Sequence, residues 1–173
     1  MAARRSPGRR PASSGGKRPA APSGGVGHGE FVMYPGVPGG IYDLLERVAA
    51  EAGDSPDFGA PGISLDRTRL TLRWYGEPPA TVRALVDAAT GFDVVVAETP
   101  FRPGDLRAEA ARLLREHAGV LTGAGARPEG DGIDLLVAPG AAEAAGGPSE
   151  ALAQAGIASG FPLVAEVGEA QPS

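Results

Sequence analysis

Apolar residues recur at helical spacing early in the chain. Ile41, Leu44, Leu45, Val48 and Ala52 fall on one side of a helical wheel, with Asp43, Glu46 and Arg47 opposite. The spacing predicts a helix that ends at Gly53. After a loop over 54–62, Ile63 and Leu65 alternate with polar neighbours and Asp66-Arg67-Thr68 supplies a turn. Leu70, Leu72 and Trp74 then face one side while Thr71, Arg73 and Tyr75 face the other. This is the pattern of a β-hairpin with one buried face, and it places Trp74 in the core. Pro78 and Pro79 suit a helix start, where a missing N–H is harmless. Val82, Leu85, Val86 and Ala89 give that helix an apolar stripe, and Gly91 ends it. The run Phe92 to Ala97 holds three consecutive valines and predicts a central strand.

The same alternation of periods then returns. Pro103 and Asp105 open a third helix with Leu106, Ala110, Leu113, Leu114 and His117 on one face, stopped by Gly119. Val120 to Ala126 reads as a strand, Arg127 to Gly132 as a turn and Ile133 to Val137 as the return strand. The stretch 140–160 is Ala-rich and broken by Gly146, Gly147 and Pro148; Ser149, with Glu150 in the first turn, suits the cap of a short helix reaching Ala155. Pro162 to Val167 is a last strand. Gly91-Phe92-Asp93-Val94-Val95-Val96-Ala97-Glu98 and Gly160-Phe161-Pro162-Leu163-Val164-Ala165-Glu166 stand at equivalent places, which marks a weak internal repeat. The expected fold class is α+β, with two small hairpin-helix-strand sandwiches joined by the helix over 102–117. The organisation reads as a tail (1–29), a helix and linker (30–62), a first unit (63–101), a connecting helix (102–119) and a second unit with a C-terminal tail (120–173).

Composition changes this picture at the N-terminus. Leu, Ile, Val and Phe number 36 in 173 residues, and residues 1–29 hold only Val26 among them. With so little to offset backbone ordering, the tail is expected to be disordered. It carries Arg4, Arg5, Arg9, Arg10, Lys17 and Arg18 before the first acid, Glu30, in a chain whose net charge is −5. The remainder is therefore acidic, which argues against nucleic-acid binding by the folded part. No apolar segment follows Arg5 or Arg10, so no secretory signal is read and a cytoplasmic location is expected. Met33 stands where the composition becomes globular, so translation from Met1 or from Met33 is open. No run of 18 apolar residues is present, so no transmembrane segment is expected.

Candidate chemistry is sparse. The chain has no cysteine and two histidines, His28 in the tail and His117 at a helix end, where an imidazolium complements the helix dipole. A zinc site lacks ligands, and no G-x-S-x-G marks a nucleophile. Gly123-Ala124-Gly125 with Gly130 is followed by Pro128 and a strand rather than by a helix, so it is a turn and not a phosphate loop. Glu129, Asp131 and Asp134 lack calcium-loop spacing. Glu98, Glu109 and Glu116 read as solvated charges. No catalytic, cofactor-binding or metal-ligating residue is nominated, and a non-enzymatic protein is expected.

The stretch 62–137 resembles the pro-regions of secreted bacterial serine proteases of the α-lytic protease and streptogrisin kind. The residues that carry the resemblance are the hairpin Ile63 to Leu72, the short helix and valine strand, Phe101-Arg102-Pro103-Gly104-Asp105-Leu106 opening the longer helix, and the turn Arg127 to Ile133. The resemblance implies a non-catalytic domain that assists folding of a trypsin-like protease, binds it by sheet pairing and inhibits it. It also implies that Gly168 to Ser173 approach the protease cleft, and that the protein is secreted if its start is misassigned. The alternative expectation is a cytoplasmic stand-alone module that binds a ligand or partner through its sheet, with the Ile63 hairpin as a pairing edge for another chain or a second copy.

Overall fold

The computed structural model describes residues 36–169. The basic tail expected to be disordered, and the last residues from 170 on, lie outside the described residues. The elements are α1 (Gly39–Ala52), β1 (Gly62–Ile63), β2 (Arg69–Trp74), α2 (Ala80–Asp87), β3 (Asp93–Glu98), α3 (Pro103–Glu116), β4 (Leu121–Ala126), β5 (Ile133–Val137), α4 (Pro139–Ala145), α5 (Pro148–Gln154) and β6 (Leu163–Val167). They form two three-stranded sheets, ordered β1-β2-β3 and β4-β5-β6. In each sheet the first pair is antiparallel and the second parallel. The protein is α+β.

Each sheet buries one face under helices. Leu70, Leu72 and Trp74 of β2 pack with Ile41, Leu44, Val48 and Ala52 of α1 and with Val82 of α2. Ile133, Leu135 and Val137 of β5 pack with Leu106, Ala110 and Leu113 of α3, Ala142 of α4 and Ala151 and Leu152 of α5. The two clusters are separate, so each sheet has its own core. The period-2 and helical apolar patterns thus translate directly into two packed layers per unit.

The internal repeat is larger and more regular than the sequence alone suggests. In the first unit Gly62 pairs with Thr71 and Ile63 with Leu70; in the second Gly125 pairs with Asp134 and Ala126 with Ile133. The offset is 63 residues throughout (62 to 125, 71 to 134). The bridge Phe58 to Trp74 has its equivalent in Leu121 to Val137. The turn bonds Arg67 N–H to Ser64 O (3.0 Å) and Gly130 N–H to Arg127 O (2.9 Å) also correspond. At the parallel strand the offset becomes 69, with Leu70 beside Val94 and Ile133 beside Leu163 (94 to 163). The six residues gained (69 against 63) lie in the second crossover, where α4 and α5 stand in place of the single α2.

The structure revises four expectations. The helix over 102–119 does more than join the units: α3 packs on β4 and β5, as α1 packs with β2 and α2, so the first repeat runs α-β-β-α-β and the second α-β-β-α-α-β. Phe92 to Ala97 does not lie in the middle of a sheet. Among the described residues β3 pairs with β2 alone and is an edge, with Val95 and Val96 exposed: strand propensity of a valine run does not set how many neighbours the strand has. The first hairpin strand is only two residues, and Leu65, expected to alternate with Ile63, sits in the turn at 65% exposure. Ser149 lies inside the first turn of α5, whose N-cap is Gly147 with no side-chain cap bond.

Candidate functional site

The outer edges of β3 and β6 are built the same way. Asp93 N–H donates to Thr68 O and Thr99 N–H to Trp74 O, both at 2.9 Å. Backbone direction alternates along a strand, so Asp93, Val95, Ala97 and Thr99 turn their polar groups towards β2. Val94, Val96 and Glu98 turn theirs outwards, away from the sheet. In the second repeat Ile133 N–H donates to Pro162 O (2.9 Å) and Gly168 N–H to Val137 O (3.0 Å). Leu163, Ala165 and Val167 therefore direct theirs outwards. Each repeat presents an outward-facing row of main-chain donors and acceptors on a parallel edge strand. Val95, Val96 and Val167 are among the exposed large apolar residues.

The polar residues singled out from sequence are used in the structure as follows. Glu109 accepts from Arg112 Nε (2.8 Å) and Nη2 (2.7 Å) and from Ser159 Oγ (2.7 Å). Arg112, then Ser159, hold its carboxyl down at about 2, and the pair raises the Arg112 guanidinium above its ordinary value. Glu116 is also bonded to Arg112. Neither Glu109 nor Glu116 is left for acid–base work, while Glu98 is exposed on the β3 edge. Asp131 and Asp134 lie 3.5 and 3.4 Å from Arg127, and Glu129 lies 3.5 Å from Arg73. The acidic turn is thus tied to arginines. Among the described residues no group of His, Asp and Glu is arranged to hold a metal ion. His117 caps α3 with its N–H bonded to Leu113 O (3.0 Å). His28 lies outside the described residues.

A cleft of about 300 Å³ opens between the repeats, with Ala60, Pro103, Ala126 and Pro128 among its apolar lining and Arg107 and Arg127 beside them. Its cations are engaged. Arg107 donates to Phe58 O (3.1 Å), and Arg127 faces Asp131 and Asp134. The cleft is therefore a poor anion site. Gly123 and Gly125 lie within β4, paired to Leu136 and Asp134, so the glycine-rich stretch is strand rather than a phosphate loop.

The sequence named the Ile63 hairpin as a pairing edge and missed β3 and β6. The signal for them was the recurrence of Gly-Phe-x-Val/Leu at 91–94 and 160–163, which marks equivalent strands but not their place in a sheet. Among the described residues no helix is long and apolar enough to cross a membrane. Comparison with known protein families, with curated proteins and with solved structures finds no match.

Proposed function

We propose that this is a non-catalytic protein-binding domain that takes up a strand of its partner along an open sheet edge. The partner favoured by the pro-region resemblance is a trypsin-like serine protease, which the domain would help to fold and would inhibit. The observation that carries this reading is the pair of equivalent edge strands with outward, unpaired main-chain groups. Strand addition draws affinity from just such groups and specificity from alternate side chains. The β6 edge is the one from which the chain continues towards Gly168 to Ser173, the segment that the resemblance places near a protease cleft; residues 170–173 lie outside the described residues.

The test is a titration of the full chain against secreted trypsin-like proteases, read as binding and as slowed substrate cleavage. Capture in the micromolar range or tighter is expected. Ala165→Pro removes one outward N–H from β6 while leaving the β5 ladder intact, and is expected to weaken that capture at least tenfold. Absence of binding to every protease tried would overturn the protease reading.

A further inference from the structure

Of the four strand edges among the described residues, two are blunted and two, β3 and β6, are open. β1 is two residues long. β4 has a bulge between Leu121 and Gly123. β6, Leu163–Val167, is open but one residue shorter, and its central outward residue is only Ala165. β3 is the longer open edge. It has six residues, Asp93–Glu98, without proline, glycine or lysine, and it leaves Val95 and Val96 exposed at 42% and 38%. A bare apolar edge of this length is a template for another strand, and proteins that do not use such an edge normally guard it.

We infer that β3 pairs antiparallel with β3 of a second copy, joining two three-stranded sheets into one across a two-fold axis. The inference rests on the reading that these edges bind strands, and it concerns a different edge from the β6 edge tested above. The strand is self-complementary. Its outward groups belong to Val94, Val96 and Glu98, so only registers that set outward residues against each other form hydrogen bonds. Setting Val94 opposite Val96 of the second copy makes two reciprocal pairs, each exchanging both main-chain bonds. The axis then passes through Val95, which meets its own copy as a close, non-hydrogen-bonded pair on the helix-free face. Val94 and Val96 meet on the helix face. In this register Asp93 lies opposite Ala97 and Glu98 opposite Phe92, so no two carboxylates are directly opposed. The contact also closes. A two-fold pairing uses up the β3 edge of both copies, so no further copy adds through β3.

The test is sedimentation equilibrium of the full chain and two variants. The unmodified chain is expected at twice its monomer mass. Val96→Pro deletes an N–H that points away from β2, so it is expected to halve the mass with an unchanged far-ultraviolet circular dichroism spectrum. Val95→Arg keeps every main-chain donor and puts two like charges on the axis; it is expected to halve the mass as well. A monomeric unmodified chain overturns the inference, and so does either variant remaining a dimer. Ala165→Pro separates this inference from the functional reading. A dimer that captures no protease counts against the protease reading alone, and a monomer that captures protease counts against the β3 pairing alone.

Discussion

Arg67 and Gly130 occupy equivalent positions in the two hairpin turns, and both have left-handed backbone, with φ of 62° and 71°. The turn demands that conformation in each repeat, but only glycine adopts it without a Cβ clash. Arg67→Gly is therefore expected to raise stability by about 1 kcal/mol, less a few tenths for the added freedom of the unfolded chain. Gly130→Ala has the opposite sign. A Cβ there would stand 2.6 Å from Thr99 Cβ as well as straining the backbone, and a loss of about 2 kcal/mol or more is expected. Urea denaturation of the two variants checks both signs. Glu109 carries a pH prediction. Its carboxyl lies at about 2 in the folded chain, against an ordinary value of 4.5. A lowered carboxylate contributes stability that is fully present above the ordinary value and is lost as pH falls from 4.5 towards 2. Glu109→Gln is expected to flatten the stability–pH curve in that window, as read by denaturation at a series of pH values. In Ser159→Ala the Glu109 titration, followed by carboxyl carbon-13 shifts, is expected to move up.

Strands and helices here stand or fall with their own core. Leu72 of β2 and Leu135 of β5 are equivalent residues, both buried, in separate apolar clusters. Truncating either to alanine is expected to cost about 2 to 5 kcal/mol, the range for a buried leucine whose surroundings collapse only in part. Because the clusters share no residue, the double variant is expected to equal the sum within about 0.5 kcal/mol. A double-mutant cycle measures this, and a large coupling would show that the two repeats unfold as one network. Element types were legible because the apolar period switches between 2 and 3.6 along the chain, as in Leu70-Thr71-Leu72-Arg73-Trp74 against Leu106, Ala110 and Leu113. Element lengths were less so. β1 stops at Ile63 because the turn bond from Ser64 N–H to Arg69 O and the left-handed Arg67 bend the chain away, which takes Leu65 out of the sheet.

Between the repeats, the first turn of α3 is clamped to the loop after α1. Gly104 N–H donates to Pro56 O at 2.7 Å and Arg102 Nε to Asp57 at 2.6 Å, while Phe101 N–H, just before the helix, donates to Gly130 O of the β4–β5 turn at 3.1 Å. A Cβ on Gly104 would lie 2.6 Å from Pro56 Cβ and 2.9 Å from its Cα. Gly104→Ala sets two effects against each other. Helix propensity favours alanine by about 1 kcal/mol. Overpacking against another segment's backbone costs about 1 to 3 kcal/mol. The obstructing atoms include main chain, which yields less readily than a side chain, so net destabilisation is expected. A thermal melt checks it, and a higher midpoint would show that the Pro56 loop gives way.

From its sequence alone, the chain determined its α+β class, the burial of Trp74, the turn at 127–132 and the existence of a repeat. Each of these follows from contacts between near neighbours, or from apolar periodicity that any packed layer must satisfy. The candidate site was not legible in that way. Whether Val94-Val95-Val96 lies inside a sheet or on its rim depends on whether another strand arrives beside it, and that strand is chosen by chain segments far away in sequence. The same holds for α3. Its apolar stripe requires a sheet to cover, but only the tertiary structure decides that the sheet is the one that follows it. The open edges at β3 and β6 are thus products of topology: three strands per repeat, with the last laid parallel beside the second and, among the described residues, no strand beyond it.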